Sequence, residues 1–435
     1  MTAPLIYGYQ PERALLWMDG APVSQSRFLG AAIALADSLP NGASHVLPLA
    51  HSRALFLLAF CAALLRGKPC LLPPAGHAAA LAGLRLRYPQ AMVISDQASH
   101  ADAAFDLLLS ARFDAADWPG TVPEIALDQL AAIAYTSGST GTPQPQAKSW
   151  RALIATAEHA CTRFGSRVQI AATVPPQHMY GLETTAMMAL VGGCAIDAGQ
   201  PFFAEDIRAA LAGLPAPRML VTTPVHLRAL VAGKPALPPL ALILSATAPL
   251  PLALAGAAEQ LFVAPVFEIY GCTEAGSLAT RRATRDENWR LYPGLRLVPD
   301  HDGHWLHTCY LPPVRLDDDL EVIDPERFRL LGRSGEVVKV AGKRLDLGEL
   351  TQALLAVPGV VDAAAFFPDG DAVSLRPAAL VVAPDVSEHR ILAALALQLD
   401  AVFLPRPLKK VLSLPRNAVG KLPRAALLQL LAAQA

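Results

Sequence analysis

Charge is scarce in this chain: Asp, Glu, Lys and Arg make up 17% of 435 residues, and they balance to a formal net charge of −1. So even a balance lacks the basic footprint of a protein that binds a polyanion, and no nucleic-acid partner is expected. Paired cysteines are also missing. Cys61, Cys70, Cys161, Cys194, Cys272 and Cys309 stand apart with no C-x-x-C pair, which excludes zinc-ribbon spacing and a disulfide framework and fits a reducing, cytoplasmic setting. No basic segment followed by an apolar run opens the sequence, so no signal peptide is expected. The longest apolar run, Ala54 to Leu65, is too short for a bilayer of about 30 Å; it reads as a buried helix, and no integral membrane segment is expected. Finally, G-x-x-x-x-G-K-[ST] occurs nowhere, which excludes a Walker A nucleotide site.

What is present is apolar residues, 53% of the chain. That fraction, over this length and without low-complexity tracts or repeats, predicts two or three well-buried domains. Strand-length apolar runs recur at Ala131–Tyr135, Met219–Val221, Leu240–Leu244 and Val263–Tyr270. Helical periodicity lies between them: after Ser149, residues Leu153, Ala157, Ala160, Cys161 and Phe164 share one face, and Thr223-Pro224 reads as a helix start. The alternation predicts an α/β fold. At Gly332-Arg333-Ser334-Gly335 the pattern breaks, and a strand resumes over Glu336–Val340. Strand-like Ala363–Phe367 and Ala379–Val382, with a helix-like Ser387–Leu399, predict a small α+β domain. The expected division is residues 1–333 and 334–435.

Several segments carry chemistry. The apolar strand ending at Tyr135 runs into Thr136-Ser137-Gly138-Ser139-Thr140-Gly141-Thr142-Pro143, where glycines admit close backbone approach and hydroxyls and amides supply donors to an anion. By composition the same tract also reads as a Ser/Gly turn. Further on stand Val174-Pro175-Pro176-Gln177-His178-Met179-Tyr180-Gly181-Leu182, Ser245-Ala246-Thr247-Ala248-Pro249, Tyr270-Gly271-Cys272-Thr273-Glu274, Asp317-Asp318-Asp319-Leu320, Gly332-Arg333, and Leu414-Pro415-Arg416-Asn417-Ala418-Val419-Gly420-Lys421-Leu422-Pro423-Arg424.

In this order the segments resemble the signatures of the adenylate-forming superfamily of acyl- and aryl-CoA synthetases, adenylation domains and luciferases. The resemblance implies a large N-terminal α/β domain that binds ATP and a carboxylate, and a small mobile C-terminal α+β domain. It implies that Thr136, Ser137, Gly138, Ser139, Thr140, Gly141 and Thr142 hold ATP phosphates, with Thr140 also near Mg²⁺. Gln144 stands where the family has lysine, and Lys148 is the candidate replacement cation. Ala246, Tyr270 and Gly271 would line the adenine, Asp319 and Arg333 the ribose. Spacing to Arg333 admits Asp318 or Asp319; Asp319 is preferred because it directly precedes leucine. His178 would lie beside the substrate carboxylate, Thr273 on the α-phosphate and Glu274 on Mg²⁺; hard carboxylate oxygen suits that metal. Tyr180, Gly181, Thr223, Ala248 and Gly276 would line the acyl pocket. Lys421 would be the catalytic lysine, a positioned cation facing the charge that builds on the α-phosphate.

The implied activity is activation of a carboxylic acid by ATP·Mg²⁺ as its acyl-AMP, then transfer to a thiol of coenzyme A or of phosphopantetheine on an acyl carrier protein. The compact length and the S-G-S-T-G-T-P…K-S-W form resemble bacterial acyl- or aryl-carrier-protein ligases. An aromatic acid such as a hydroxybenzoate or cinnamate is the expected substrate, with a fatty acid as the alternative. A noncatalytic nucleotide-binding protein on the same fold is the alternative of another class.

Overall fold

The fold is given by a computed structural model, which describes residues 1–73, 78–97, 107–108, 113–114, 116–135, 144–301, 303–333, 337–340, 343–368, 376–397, 399, 403–417, 420 and 422–434. By packing the chain forms two units, Met1–Arg296 with His307–Val314, and Leu297–Leu306 with Arg315–Ala435.

Two sheets organise the first unit. The smaller runs, in spatial order, Pro145–Ser149, Leu130–Tyr135, Cys70–Leu72, His45–Leu49, Ala91–Ser95 and Leu107–Leu108; every pairing is parallel except the first. The larger has a parallel centre, Val266–Cys272, Leu242–Ser245, Arg218–Thr222, Gln169–Ala172, Ala195–Asp197 and Ala14–Met18, with antiparallel strands Gly276–Arg281 and Ala21–Ser24 beside its ends. Central strands such as Leu242–Ser245 are buried on both faces, which is why they read as unbroken apolar runs.

The run Ala54–Leu65 is a buried helix, Arg53–Leu65, capped by the Ser52 side chain. No turn of it reaches solvent before Leu65, and even Arg53 is fully buried. The helix Trp150–Phe164 starts at Ser149, whose hydroxyl accepts from the Ala152 amide, and buries Leu153, Ala157, Ala160 and Phe164. Cys161, expected on the same face, is half-buried.

Two strand ends differ from expectation. The run Leu240–Leu244 forms its strand at Leu242–Ser245. The run Val263–Tyr270 forms one only from Val266, because Phe262 ends a helix and Val263 caps it in the left-handed region at φ +50°. Val263 is solvent-exposed, so its apolar character signals no burial.

The second unit has its own core. Strands Asp362–Phe366 and Ala378–Val382 are antiparallel, and Leu408–Lys410 adds parallel to the latter. Side chains alternate faces with period two: Ala363, Ala379 and Val381 pack with Leu350, Leu354, Ile391 and Leu395, while Ala364, Phe366 and Leu380 pack with Leu414 and Leu427. Helices Leu347–Ala356, Glu388–Ala396 and Arg424–Ala432 supply those partners except Leu414, which lies in the irregular segment after Leu408–Lys410. The hairpin Asp318–Asp324 with Arg327–Arg333 groups with this unit, as does the strand pair Val337–Val340 and Lys343–Asp346. Among the described residues no helix is long and apolar enough to cross a membrane.

Candidate active site

The phosphate loop, residues 136–143, lies outside the described residues, but its flanks are clear. Leu130–Tyr135 leads into it, and Pro145–Ser149 leaves it to pair antiparallel with the same strand, Pro145 opposite Tyr135 and Lys148 opposite Ala132. The two flanking strands are therefore antiparallel neighbours at one edge of the smaller sheet. Gln144 is exposed and Lys148 is buried. The Lys148 ammonium donates to the backbone carbonyl of Glu274 at 2.6 Å. Burial lowers its pKa, and the charge of Glu183 works against that shift.

The segment around His178 is held from several sides. Arg53 donates from its guanidinium to the carbonyls of Ala172 at 2.8 Å and Val174 at 3.0 Å, and reaches the Thr185 hydroxyl at 3.4 Å. Gln177 donates to the Ala50 carbonyl at 2.8 Å. His178 caps the short turn Met179–Gly181, its Nδ1 accepting from the Tyr180 amide at 3.3 Å. Gly181 passes so close to the Pro175 carbonyl that a side-chain carbon would collide with backbone, which explains glycine there. Beyond it Leu182–Met187 form a π-helical turn, a wide turn often found at functional sites.

The buried Tyr180 hydroxyl donates to the Thr222 carbonyl at 3.2 Å. Thr223 caps helix Pro224–Gly233, as its position before proline predicts, but makes no side-chain cap bond. Its hydroxyl lies 2.9 Å from Nδ1 of buried His226, which also lies 3.3 Å from the Thr173 hydroxyl. Burial holds the His226 pKa below its ordinary value.

Ala246 is buried and Ala248 half-buried, and Thr247 between them sits at φ +79°. A β-branched residue in that region is strained, and strain of this kind collects at functional turns. Tyr270 is buried, its ring 5.7 Å from that of Trp289. Strand Val266–Cys272 delivers Gly271 at the surface, with Thr273 and Glu274 half-buried in the turn that follows.

That turn is anchored at both ends. Besides Lys148 on the Glu274 carbonyl, Glu183 accepts from the Ser277 amide at 3.1 Å and from the Ser277 hydroxyl. Gly276 has φ +83°, and a side-chain carbon there would strike the Glu183 carboxylate. Burial raises the Glu183 pKa; the Ser277 hydrogen bonds and the Lys148 charge oppose that.

Among the described residues no group of three His, Cys, Asp or Glu side chains gathers to hold a metal alone. A single half-buried carboxylate at Glu274 fits a magnesium ion that takes its other ligands from phosphate and water.

In the second unit, the hairpin register sets Asp318 opposite Arg333 and Asp319 opposite Gly332. The Arg333 side chain, residues 334–336 and Lys421 lie outside the described residues. The neighbouring Arg416 is well fixed, with a two-pronged ion pair to Asp362 at 2.8 and 2.6 Å.

The structure thus brings Lys148 to the Glu274 turn and Tyr180 to Thr222. Glu183, Ser277 and Arg53 were not singled out from sequence. Glu183 and Arg53 had a signal, a charge beside apolar residues, Glu183 between Leu182 and the stretch Ala186–Leu190 and Arg53 before Ala54; Ser277 had none.

Residues 28–342 match the sequence model of the AMP-binding enzyme family. A 4-coumarate–CoA ligase of Rhodobacter capsulatus is 31% identical over 300 residues, 67% of this chain and 74% of that protein. Another, of Halorhodospira halophila, is 29% identical over 306 residues, 66% of this chain and 73% of that protein. In fold, the chain is similar to o-succinylbenzoate CoA synthetase (MenE) from Bacillus subtilis in complex with the acyl-adenylate intermediate OSB-AMP. That likeness has a TM-score of 0.83 at 18% identity and covers 98% of both chains.

Proposed function

The chain belongs to the AMP-binding enzyme family, and from that membership we propose how its residues divide the work of an AMP-forming acid–thiol ligase. The reaction joins a carboxylic acid to ATP as an acyl-adenylate and then passes the acyl group to a thiol, coenzyme A being the acceptor named for its relatives. The ordered set of motifs from residue 136 to residue 421, on a chain matched by the family over residues 28–342, carries the reading.

In the first half-reaction a carboxylate oxygen attacks the α-phosphorus in line, and pyrophosphate leaves. Proximity and charge stabilisation carry such a step. The loop Thr136–Thr142 holds the phosphates through amides and hydroxyls, with Thr273 on the α-phosphate and Lys421 on the charge that builds there. Glu274 and Thr140 would hold magnesium, which would supply neutralisation of phosphate charge. Tyr270, Gly271 and Ala246 line the adenine; Asp319 and Arg333 take the ribose.

His178 stands at the substrate carboxylate, and Tyr180, Gly181, Thr223, Ala248 and Gly276 wall the acyl group. The Tyr180 hydroxyl is committed to the Thr222 carbonyl, so Tyr180 offers the substrate its ring rather than a hydrogen bond. An apolar wall of this kind suits an aromatic acid such as a hydroxybenzoate or cinnamate, as do the names of the 4-coumarate ligases among its relatives. In the second half-reaction the thiol sulfur attacks the acyl carbon and AMP leaves. The acceptor arm belongs to coenzyme A or to phosphopantetheine on an acyl carrier protein, and residues 334–435 move between the two steps.

The test is carboxylate-dependent exchange of pyrophosphate into ATP. Lys421→Ala is expected to lose about a hundredfold or more while the purified protein still binds ATP. Equal exchange in both would remove Lys421 from the chemistry. Thioester assays with benzoate, cinnamate and octanoate panels, each offered coenzyme A and a carrier protein bearing a free phosphopantetheine thiol, then identify acid and acceptor.

A further inference from the structure

We infer that Lys148 and Glu183 form a buried brace that positions the Glu274 turn, so that Lys148 serves the nucleotide site through the protein backbone rather than as a phosphate ligand. The inference rests on the proposed role of Glu274 at magnesium.

The turn is gripped at two points three residues apart. The Lys148 ammonium donates to the Glu274 carbonyl, and the Glu183 carboxylate receives both donors of Ser277. Between the grips, Gly276 takes a left-handed conformation with its α-carbon against Glu183. Lys148 and Glu183 are each about 2% exposed. Burying two charges costs several kcal/mol per ion before their attraction is counted, an arrangement better explained by fixed geometry than by stability.

Sequence distance adds to the case. Lys148 lies on the strand that follows residues 136–143, Glu183 on the π-helical turn five residues after His178, and Ser277 three residues after Glu274. The brace therefore joins three segments of the site through one buried contact set. Lys148 commits one of its three ammonium donors to a carbonyl 126 residues away, which ties it to the Glu274 turn. Groups that orient a metal ligand typically change metal affinity about 10–100-fold when lost.

The experiment is calorimetric titration of the full chain with α,β-methylene-ATP, with and without Mg²⁺, for the parent, Lys148→Met, Glu183→Gln, the double variant and Glu274→Gln. The expected result is that Lys148→Met leaves metal-free affinity within about twofold but cuts the enhancement by Mg²⁺ about tenfold or more. Glu183→Gln is expected to do the same, and the double variant no worse than the worse single. Should Lys148→Met misfold, Lys148→Arg and Ser277→Ala report on the two grips separately, the first restoring the enhancement and the second reducing it. Metal-free affinity lost about tenfold in Lys148→Met, with Glu183→Gln unaffected, would make Lys148 a phosphate ligand and overturn the inference. An enhancement reduced in Glu274→Gln but intact in the brace variants would overturn the inference alone. An enhancement intact in Glu274→Gln would remove the metal assignment of Glu274 and the brace's purpose with it.

Discussion

Replacing Arg53 by methionine sets two large effects against each other, and the structure indicates which wins. The guanidinium is fully buried, and burial pulls its pKa down to about 10. That depression corresponds to roughly 3 kcal/mol spent on keeping the charge there, which methionine recovers. Against this, methionine strands the carbonyls of Ala172 and Val174, now held at 2.8 and 3.0 Å. Each buried orphan costs about 1–3 kcal/mol. Methionine also leaves a small void and removes the positive charge that favours ionised Asp197, about 1 kcal/mol each by cavity and ion-pair scales. The losses exceed the relief, and the expected net is a destabilisation of about 2–4 kcal/mol. Scanning calorimetry should show the transition of the unit that contains Arg53 lowered by roughly 3–6 °C. Arg53→Lys, which keeps a charge but cannot fork to two carbonyls, should fall between. A methionine variant as stable as the parent, or more so, would refute the reasoning, because the carbonyl contacts would then be worth less than the charge costs.

Three further outcomes are expected. Gly276→Ala meets both a left-handed backbone and the Glu183 carboxylate; a left-handed penalty of about 1–2 kcal/mol plus weakened charged hydrogen bonds should cost about 3 kcal/mol in chemical denaturation. His226 is held neutral by burial, so the unfolded chain takes up its proton first as pH falls. Stability should rise with pH through the region below about 6.5, and that component should vanish in His226→Asn when thermal midpoints at pH 5 and 7.5 are compared. Tyr180→Phe frees only the Thr222 carbonyl and should lower stability by about 1–2 kcal/mol while leaving the KM for the acid within about threefold, since an acid bound by the ring alone loses little; a large rise in KM would give the hydroxyl to the substrate.

Much of the fold was legible because central parallel strands are apolar on both faces, so Leu130–Tyr135 and Arg218–Thr222 announced themselves. Helix starts were equally plain where Ser149 and Thr223-Pro224 stood before a periodic stretch. Val263 misled because a residue that caps a helix in left-handed geometry can be apolar and exposed; composition does not record φ. In the candidate site, Tyr270-Gly271-Cys272-Thr273-Glu274 stood out because a strand end and the turn after it are contiguous in sequence. The brace did not, since Glu183 and Ser277 are 94 residues apart, and nothing local says which distant carbonyl a buried lysine will meet. The residue pairing across the hairpin at Asp318 and Asp319 was illegible for a different reason: the register shifts at a bulge between Asp319 and Leu320, which composition does not mark.

The wide turn Leu182–Met187 makes this stretch unusually sensitive to length. Removing one codon there would let the chain close ordinary α-helical bonds, so the backbone would lose little. Yet each α-helical residue advances about 100°, and the deletion would swing His178 and Tyr180 by that angle relative to Met188–Gly192. Single-residue deletions at this turn should therefore cost stability and acid activation together, because the same rotation carries Glu183 away from Ser277 and Thr185 away from Arg53.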